Sequence, residues 1–265
     1  MQRTSMSYMV GTIVVMAALG GIAMQNSVQY AQAQENMITS PACGQVVSGN
    51  VTLTANLVCS NNQDGLSVAQ GSAGDHTTIN LNGYTITGPG GNSSKVGISV
   101  PHSDGVIIKG PGTIENFQAG VLMTGSSNTE VQRLTFQGNK IAVFMSGTDG
   151  ATIEQNTIGP NTIGVAAYSS SGASVHANLF TGNSLSGVTF VNGDESMVDA
   201  NSIGGSKNGI YLDSQSGKNV ILFNNALRND VDINNADGLP ININGNEFTK
   251  NNCFLSQPSG ICIGE

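Results

Sequence analysis

The sequence has no tryptophan, few aromatic residues and few charged residues. Of its 265 residues, 5% are aromatic and 10% are charged, whereas 38% are hydrophobic and 35 are glycine. The scarcity of large rings argues against a globular core built on aromatic packing. A disordered chain would combine low hydrophobicity with high charge, so this composition also argues against disorder.

Basic residues are scarce as well. Nine Lys and Arg stand against seventeen Asp and Glu, which gives a net charge of -8. Nucleic acids and anionic lipid surfaces require clustered positive charge, so neither is expected as a partner. A glycan or a cell-envelope polymer is compatible with this composition, and a monomer is expected.

A repeat of 22 or 23 residues dominates the sequence. Three passages, which begin at Ile153, Val175 and Val198, each place Asn three positions later and Ile or Phe two positions after that. Further units extend the motif, so that its Asn column contains Asn156, Asn178, Asn201, Asn224 and Asn246. A second column keeps the same period and consists of Gly97, Gly120, Ala142, Gly164, Gly187, Gly209 and Asp232, each followed by Val or Ile. Two columns with the same period of 22 or 23 residues indicate stacked structural repeats.

The segments within each repeat are short and rich in β-branched residues. No segment shows apolar spacing of 3.6 over ten or more residues, so helices between the strands are not expected. We therefore predict an all-β fold, a single-stranded right-handed parallel β-helix of about eight to nine coils. The Asn amides should bond to the coils on either side as a ladder. A second polar ladder should contain Asn139, Asn161, Asn183, Asn229 and Asn251, with Ser206 in its one gap.

Three regions follow from this pattern. Residues 1–33 are typical of a secretory signal peptide cleaved after Ala33, with an uncleaved signal anchor as the alternative. Residues 34–42 form a polar tail, and residues 43–265 form the β-helix domain. Each end of that domain carries two cysteines, and we predict terminal disulfides that join Cys43 to Cys59 and Cys253 to Cys262. Both features predict a secreted or cell-surface protein.

The motifs resemble a known group of proteins. The opening from Cys43, the passage Leu81-Asn-Gly-Tyr84-Thr-Ile86 and the passage from Ile107 to Phe117 are similar to the repeats of secreted right-handed parallel β-helix proteins. That group, with its PbH1 repeat and pectin lyase fold, includes periplasmic NosD-type and carbohydrate-active families. The resemblance covers about residues 43–263, and it is specific for fold and weak for function.

The NosD-type resemblance implies copper, but the sequence does not supply an obvious site. His76, His102 and His176 do not follow the coil period, and no His or Met cluster occurs outside the signal region. We therefore expect no metal and no cofactor, with a structural calcium on Asp or Asn turns as the open alternative.

One outward column contains groups that could support catalysis. Glu154, His176 and Asp199 follow the first Val or Ile of three consecutive coils, so they should be about 4.8 Å apart. A histidine between two carboxylates could act as a general base, or it could join them in holding a metal. The alternative is an ordinary solvated face, where opposite charges on neighbouring strands are favourable. Motifs of pectate lyases and polygalacturonases are absent.

A second outward surface is less polar. Phe144, Tyr168 and Tyr211 are candidate ligand-binding residues because aromatic faces can stack on sugar rings. The alternative is that they are single half-exposed apolar residues, which are common on strands.

These observations predict an exported, non-enzymatic β-helix that presents an elongated face to a glycan, a cell-wall polymer or a protein. One alternative is a polysaccharide-modifying lyase, hydrolase or epimerase that uses the Glu154 column. The other is a purely structural surface protein.

Overall fold

The computed structural model describes residues 40–60, 62–71, 76–236, 239–241, 243 and 245–263. The predicted signal peptide and the first part of the polar tail lie outside these residues. The described chain contains 27 β-strands and no α-helix. Within these same residues, we find no helix with the length and apolar character needed to cross a bilayer.

The strands form three parallel sheets that run along the molecule as the faces of a prism. The ten-stranded sheet contains Gln45–Val47, Leu66–Val68, Val96–Pro101, Ala119–Thr124, Ile141–Ser146, Ile163–Tyr168, Ser186–Val191, Asn208–Leu212, Val231–Asn235 and Ser256–Gln257. The nine-stranded sheet contains Asn50–Thr52, Thr78–Asn80, Ile107–Lys109, Glu130–Gln132, Thr152–Glu154, Ser174–His176, Met197–Asp199, Val220–Leu222 and Glu247–Thr249. The eight-stranded sheet contains Leu57–Val58, Thr85–Thr87, Thr113–Glu115, Thr135–Gln137, Thr157–Ile158, Leu179–Thr181, Ser202–Gly204 and Asn225–Ala226. The predicted parallel β-helix is confirmed, with about nine turns.

The core lies between the three sheets and is filled by one or two inward residues from each strand. Val121, Val143, Val165 and Val188 are in register on neighbouring strands, and all are fully buried. Four buried phenylalanines, Phe117, Phe136, Phe180 and Phe190, supply much of the remaining core volume. No single coil could bury these side chains alone, so stacking is what stabilises each coil.

The glycine column has a steric cause. A Cβ built at Gly97, Gly164 or Gly209 would lie 2.4 Å from a carbonyl oxygen of the next coil. These glycines therefore permit close approach between coils at the entry to the ten-stranded sheet.

The predicted asparagine ladder is present, with one correction. The backbone NH of Asn156 donates to Oδ1 of Asn178 at 2.9 Å, and Asn178 and Asn201 repeat the contact at 2.9 and 3.1 Å. Asn224 continues the ladder, but to Asn251 and not to Asn246. Asn246 instead accepts from the backbone NH of Asn219 in a neighbouring column. Both predicted placements, Asn246 in the first ladder and Asn251 in the second, are therefore wrong.

The last turn is longer than the others, which explains this shift. Ile221 pairs with Phe248, and the bond from Asn224 to Asn251 spans 27 residues instead of 22 or 23. The additional residues lie between Asn235 and Glu247, at the corner between the ten-stranded and nine-stranded sheets.

The second ladder also forms, and it contains a gap at Ser206. Asn139 bonds to Asn161 and Asn161 to Asn183 through the same backbone-to-amide contacts. Ser206 is buried, and its hydroxyl has no hydrogen-bond partner among the described residues. Beyond the gap, the ladder ends on the buried carboxylate of Asp232, which accepts from Asn229 and from the backbone of Phe254 and Leu255.

Two corners have their own regular chemistry. Where the nine-stranded sheet turns into the eight-stranded sheet, the residue before the ladder position has positive φ, as at Ala177 and Ala200. Where the ten-stranded sheet turns into the nine-stranded sheet, aspartate and serine alternate, as Asp104, Ser127, Asp149, Ser171 and Asp194. Hydrogen bonds from Ser127 and Asn128 lower the pKa of Asp104 below its ordinary 3.8.

Both predicted disulfides are present, one in the first coil and one in the last. Regular coils begin close to the start of this domain, because Gln45–Val47 pairs with Leu66–Val68 and Asn50–Thr52 pairs with Thr78–Asn80.

Candidate functional site

The most distinctive exposed surface is the outer face of the ten-stranded sheet. The outward column runs from Leu122 through Phe144, Ala166 and Thr189 to Tyr211, since these residues are in register on consecutive strands. Ala166 is 0% exposed and Thr189 is 7% exposed, although both are on the outer side. The middle of this face is therefore closed to solvent at these two positions.

Phe144 and Tyr168 form the aromatic centre of this face. They lie on neighbouring strands, and their ring centroids are 5.5 Å apart at an interplanar angle of 88°. Tyr168 is still 40% exposed. Because each ring restricts the other, less side-chain freedom would be lost when a ligand packs against them.

Tyr211 is the third predicted residue of this group. It lies three strands from Phe144, or about 14 Å at the usual strand spacing. The structure thus brings two of the three predicted residues into contact and leaves Tyr211 farther along the same column. We refer to this surface, with Phe144, Tyr168 and Tyr211, as the aromatic face.

The predicted acidic column lies on a different sheet. Glu154, His176 and Asp199 are in register on three strands of the nine-stranded sheet. His176 Nδ1 is 2.7 Å from Asp199 Oδ2, with side-chain exposures of 42% and 17%. Among the described residues, no hydrogen bond joins Glu154 to His176. The arrangement is an oriented His–Asp pair with a carboxylate on the next strand, on an open surface.

A polar cleft beside the aromatic face was not predicted. It lies at the corner where the eight-stranded sheet turns into the ten-stranded sheet, has a volume of about 380 Å³, and is lined by Gly91, Asn92, Lys140, Thr162 and Ser184 among others. The sequence signal that could have indicated it is the break in the repeat between Thr78 and Ile107, which pair although they are 29 residues apart.

Sequence comparison identifies the family. The profile of a family described as periplasmic copper-binding protein (NosD) matches residues 5–186 and 75–260, which together cover most of the chain. The chain belongs to the NosD family. The family description and the two disulfides together support an extracytoplasmic location for this NosD-family protein. No curated protein matches the chain significantly.

Solved structures agree on the fold. The Dettilon tailspike protein is 15% identical with a TM-score of 0.52, and the alignment covers 75% of this chain and 44% of the tailspike. PfbA, a surface adhesin of Streptococcus pneumoniae, is 14% identical with a TM-score of 0.53, and the alignment covers 82% of this chain and 71% of the adhesin. At these identities the similarity concerns the fold alone. This NosD-family chain spans less than half of the tailspike.

The copper in the family description does not fit the donor groups of the residues that the structure describes. All four cysteines are in disulfides, and the described residues contain no group of three or more His, Cys, Asp or Glu that could hold a metal. Met123 and Met145 are adjacent on neighbouring strands, but both are fully buried in the core without access for an ion. Met197, the third methionine among the described residues, is exposed on the nine-stranded sheet, whereas the buried pair is on the ten-stranded sheet. We therefore derive no chemistry through copper.

Proposed function

We propose that this NosD-family protein binds a glycan of the cell envelope on its aromatic face. The observation that supports the proposal is the perpendicular contact of Phe144 with Tyr168 on an otherwise flat sheet surface. Sugar rings have apolar C–H faces, and aromatic rings are the side chains best suited to pack against them. Tyr211, farther along the same column, would contact a more distant part of the ligand.

An oligosaccharide array followed by titration calorimetry tests this proposal. Each ring should contribute about 1 kcal/mol, so the F144A or Y168A variant should bind the selected oligosaccharide about fivefold more weakly. Phe223 offers a matched control because it is 54% exposed but lies at another corner, against Lys250. Phe223→Ala should leave the affinity unchanged. A wild-type protein that binds no oligosaccharide on the array would favour the purely structural alternative.

A second candidate function is polysaccharide modification at the His176–Asp199 pair. The 2.7 Å contact favours it, since a carboxylate that orients an imidazole is the usual support for a general base. Glu154 on the neighbouring strand would be the second acid–base group. His176→Ala should abolish formation of a new reducing or unsaturated end if the pair is catalytic. Glycan affinity at the aromatic face should not change in this variant.

A further inference from the structure

One turn of the β-helix carries an extra loop beside the aromatic face. Eight residues, 88–95, connect the eight-stranded sheet to the ten-stranded sheet at this turn, whereas the next turn uses three, Asn116 to Gln118. In stacked-repeat proteins, an insertion in one repeat maps to a surface loop, often on the binding face.

The loop folds over the two following turns instead of extending into solvent. The backbone NH of Gly90 donates to the carbonyl of Asn116 at 2.7 Å, which fixes the loop to the next turn. A Cβ built at Gly91 would lie 2.8 Å from the carbonyl oxygen of Gly138, one turn farther. Only glycine at this position allows such a close approach, and the polar cleft is the space left beside it.

The cleft has the chemistry of a site for a polar, anionic group. Apart from the ring of Pro160, its wall consists mainly of glycine backbone, amide and hydroxyl groups, and no carboxylate is among the residues that line it. Lys140 is its only charged residue, and in the described chain it forms no salt bridge. Exposed charges interact mainly within about 8 Å at physiological ionic strength, so Lys140 is the charge that an anionic group inside the cleft would meet first.

The cleft and the aromatic pair belong to the same two strands. Lys140 directly precedes Ile141–Ser146, which carries Phe144, and Thr162 directly precedes Ile163–Tyr168. Lys140 and Phe144 are four positions apart along the chain, or about 13 Å along an extended strand. A ligand that contacts both would therefore run along the strands, across the long axis of the β-helix.

We propose that the cleft binds an acidic sugar unit, with its anionic group at Lys140 Nζ and the adjoining units over Phe144 and Tyr168. This inference rests on the proposed glycan-binding function and specifies the class of glycan. The hydroxyl groups of the same sugar unit would bind to Gly91, Asn92, Thr162 and Ser184.

The test is titration of the whole protein with short oligouronates and with the same oligomers after reduction of their carboxylates. The oligouronate should bind about fivefold more tightly than the reduced oligomer of the same length, as expected for one exposed ion pair at low salt. The K140M variant keeps most of the side-chain stem and should remove this difference. Lys207 is a matched control because it occupies the same column of the repeat three turns farther on, away from the loop. Lys207→Met should preserve the difference.

Four outcomes would overturn the inference. An unchanged preference in Lys140→Met, or an equal loss in Lys207→Met, would show that the cleft does not hold the charged group. If Phe144→Ala and Tyr168→Ala weaken binding but Lys140→Met does not, the glycan-binding function stands and the cleft assignment fails. If neither oligomer series nor any array glycan binds the wild-type protein, both fail. Lys140 is exposed, so its variant should fold, which circular dichroism would verify.

Discussion

Filling the gap in the second ladder should stabilise the protein. At position 206 a serine occupies a place where neighbouring turns have Asn183 and Asn229, so the backbone there already suits an asparagine. The buried backbone NH of Asn183 has no acceptor among the described residues, and the Ser206 hydroxyl has no partner. In Ser206→Asn, Oδ1 would accept from Asn183, and Nδ2 would donate to the carbonyl of Phe180, as Asn183 donates to Ile158.

The magnitude follows from these contacts. The two new hydrogen bonds contribute about 0.5–1.5 kcal/mol net each, and the upper end applies to the bond that satisfies the buried NH of Asn183. Ordering the longer side chain costs up to about 1 kcal/mol. We expect Ser206→Asn to raise the free energy of unfolding by about 1–2 kcal/mol, which for a domain of this size corresponds to about 2–8 °C in Tm.

Urea unfolding followed by far-UV circular dichroism measures this change, and two variants serve as controls. Asn161→Ser makes the reverse substitution in an intact part of the ladder and should destabilise, because the backbone NH of Asn139 loses its acceptor. Ser184→Asn adds the same group at an exposed position and should change stability by less than about 0.5 kcal/mol. If Ser206→Asn folds normally but is less stable than the wild type, the ladder does not act as argued.

Two further predictions concern the corners. Ala200 has a φ of 54°, which costs an L-residue roughly 1–2 kcal/mol, so Ala200→Gly should raise the free energy of unfolding by about 0.5–1 kcal/mol. Ala173→Gly in the core is the control and should lower it. The same urea assay measures both variants, and a loss of stability in Ala200→Gly would contradict the backbone argument. The lowered pKa of Asp104 means that its stabilising contribution is present above about pH 4 and is lost as the pH falls through the lower folded pKa. The stability difference between wild type and Asp104→Asn should therefore shrink below about pH 4, and a difference that stays constant there would count against this interpretation.

The period of the sequence was sufficient to predict the fold because every coil places the same residue types at the same corners. Asn156, Asn178, Asn201 and Asn224 align as predicted, since the turns between them have 22 or 23 residues. The assignment failed at Asn246, where an assumed constant period could not account for the residues added between Asn235 and Glu247.

The site was less accessible to sequence reasoning. Alternation along a strand shows that Phe144 and Tyr168 are on the outer side, but their contact joins two different columns and depends on side-chain rotamers. The cleft arises from a loop for which the repeat provides no template. Apart from Lys140 and Pro160, its residues are glycine, asparagine, serine and threonine, which are common at the corners of this chain, so composition alone could not distinguish them.

The positions of the two candidate sites make the binding and catalytic hypotheses independent. The aromatic face is on the ten-stranded sheet and the His176–Asp199 pair is on the nine-stranded sheet, with the Asp–Ser corner between them. A glycan that runs along Ile141–Ser146 from the cleft to Phe144 would contact one sheet only, so His176 would not reach it. If His176→Ala weakened glycan binding as strongly as Tyr168→Ala in a protein that remains folded, a ligand crossing the corner would be required, and the placement proposed for the glycan would be wrong.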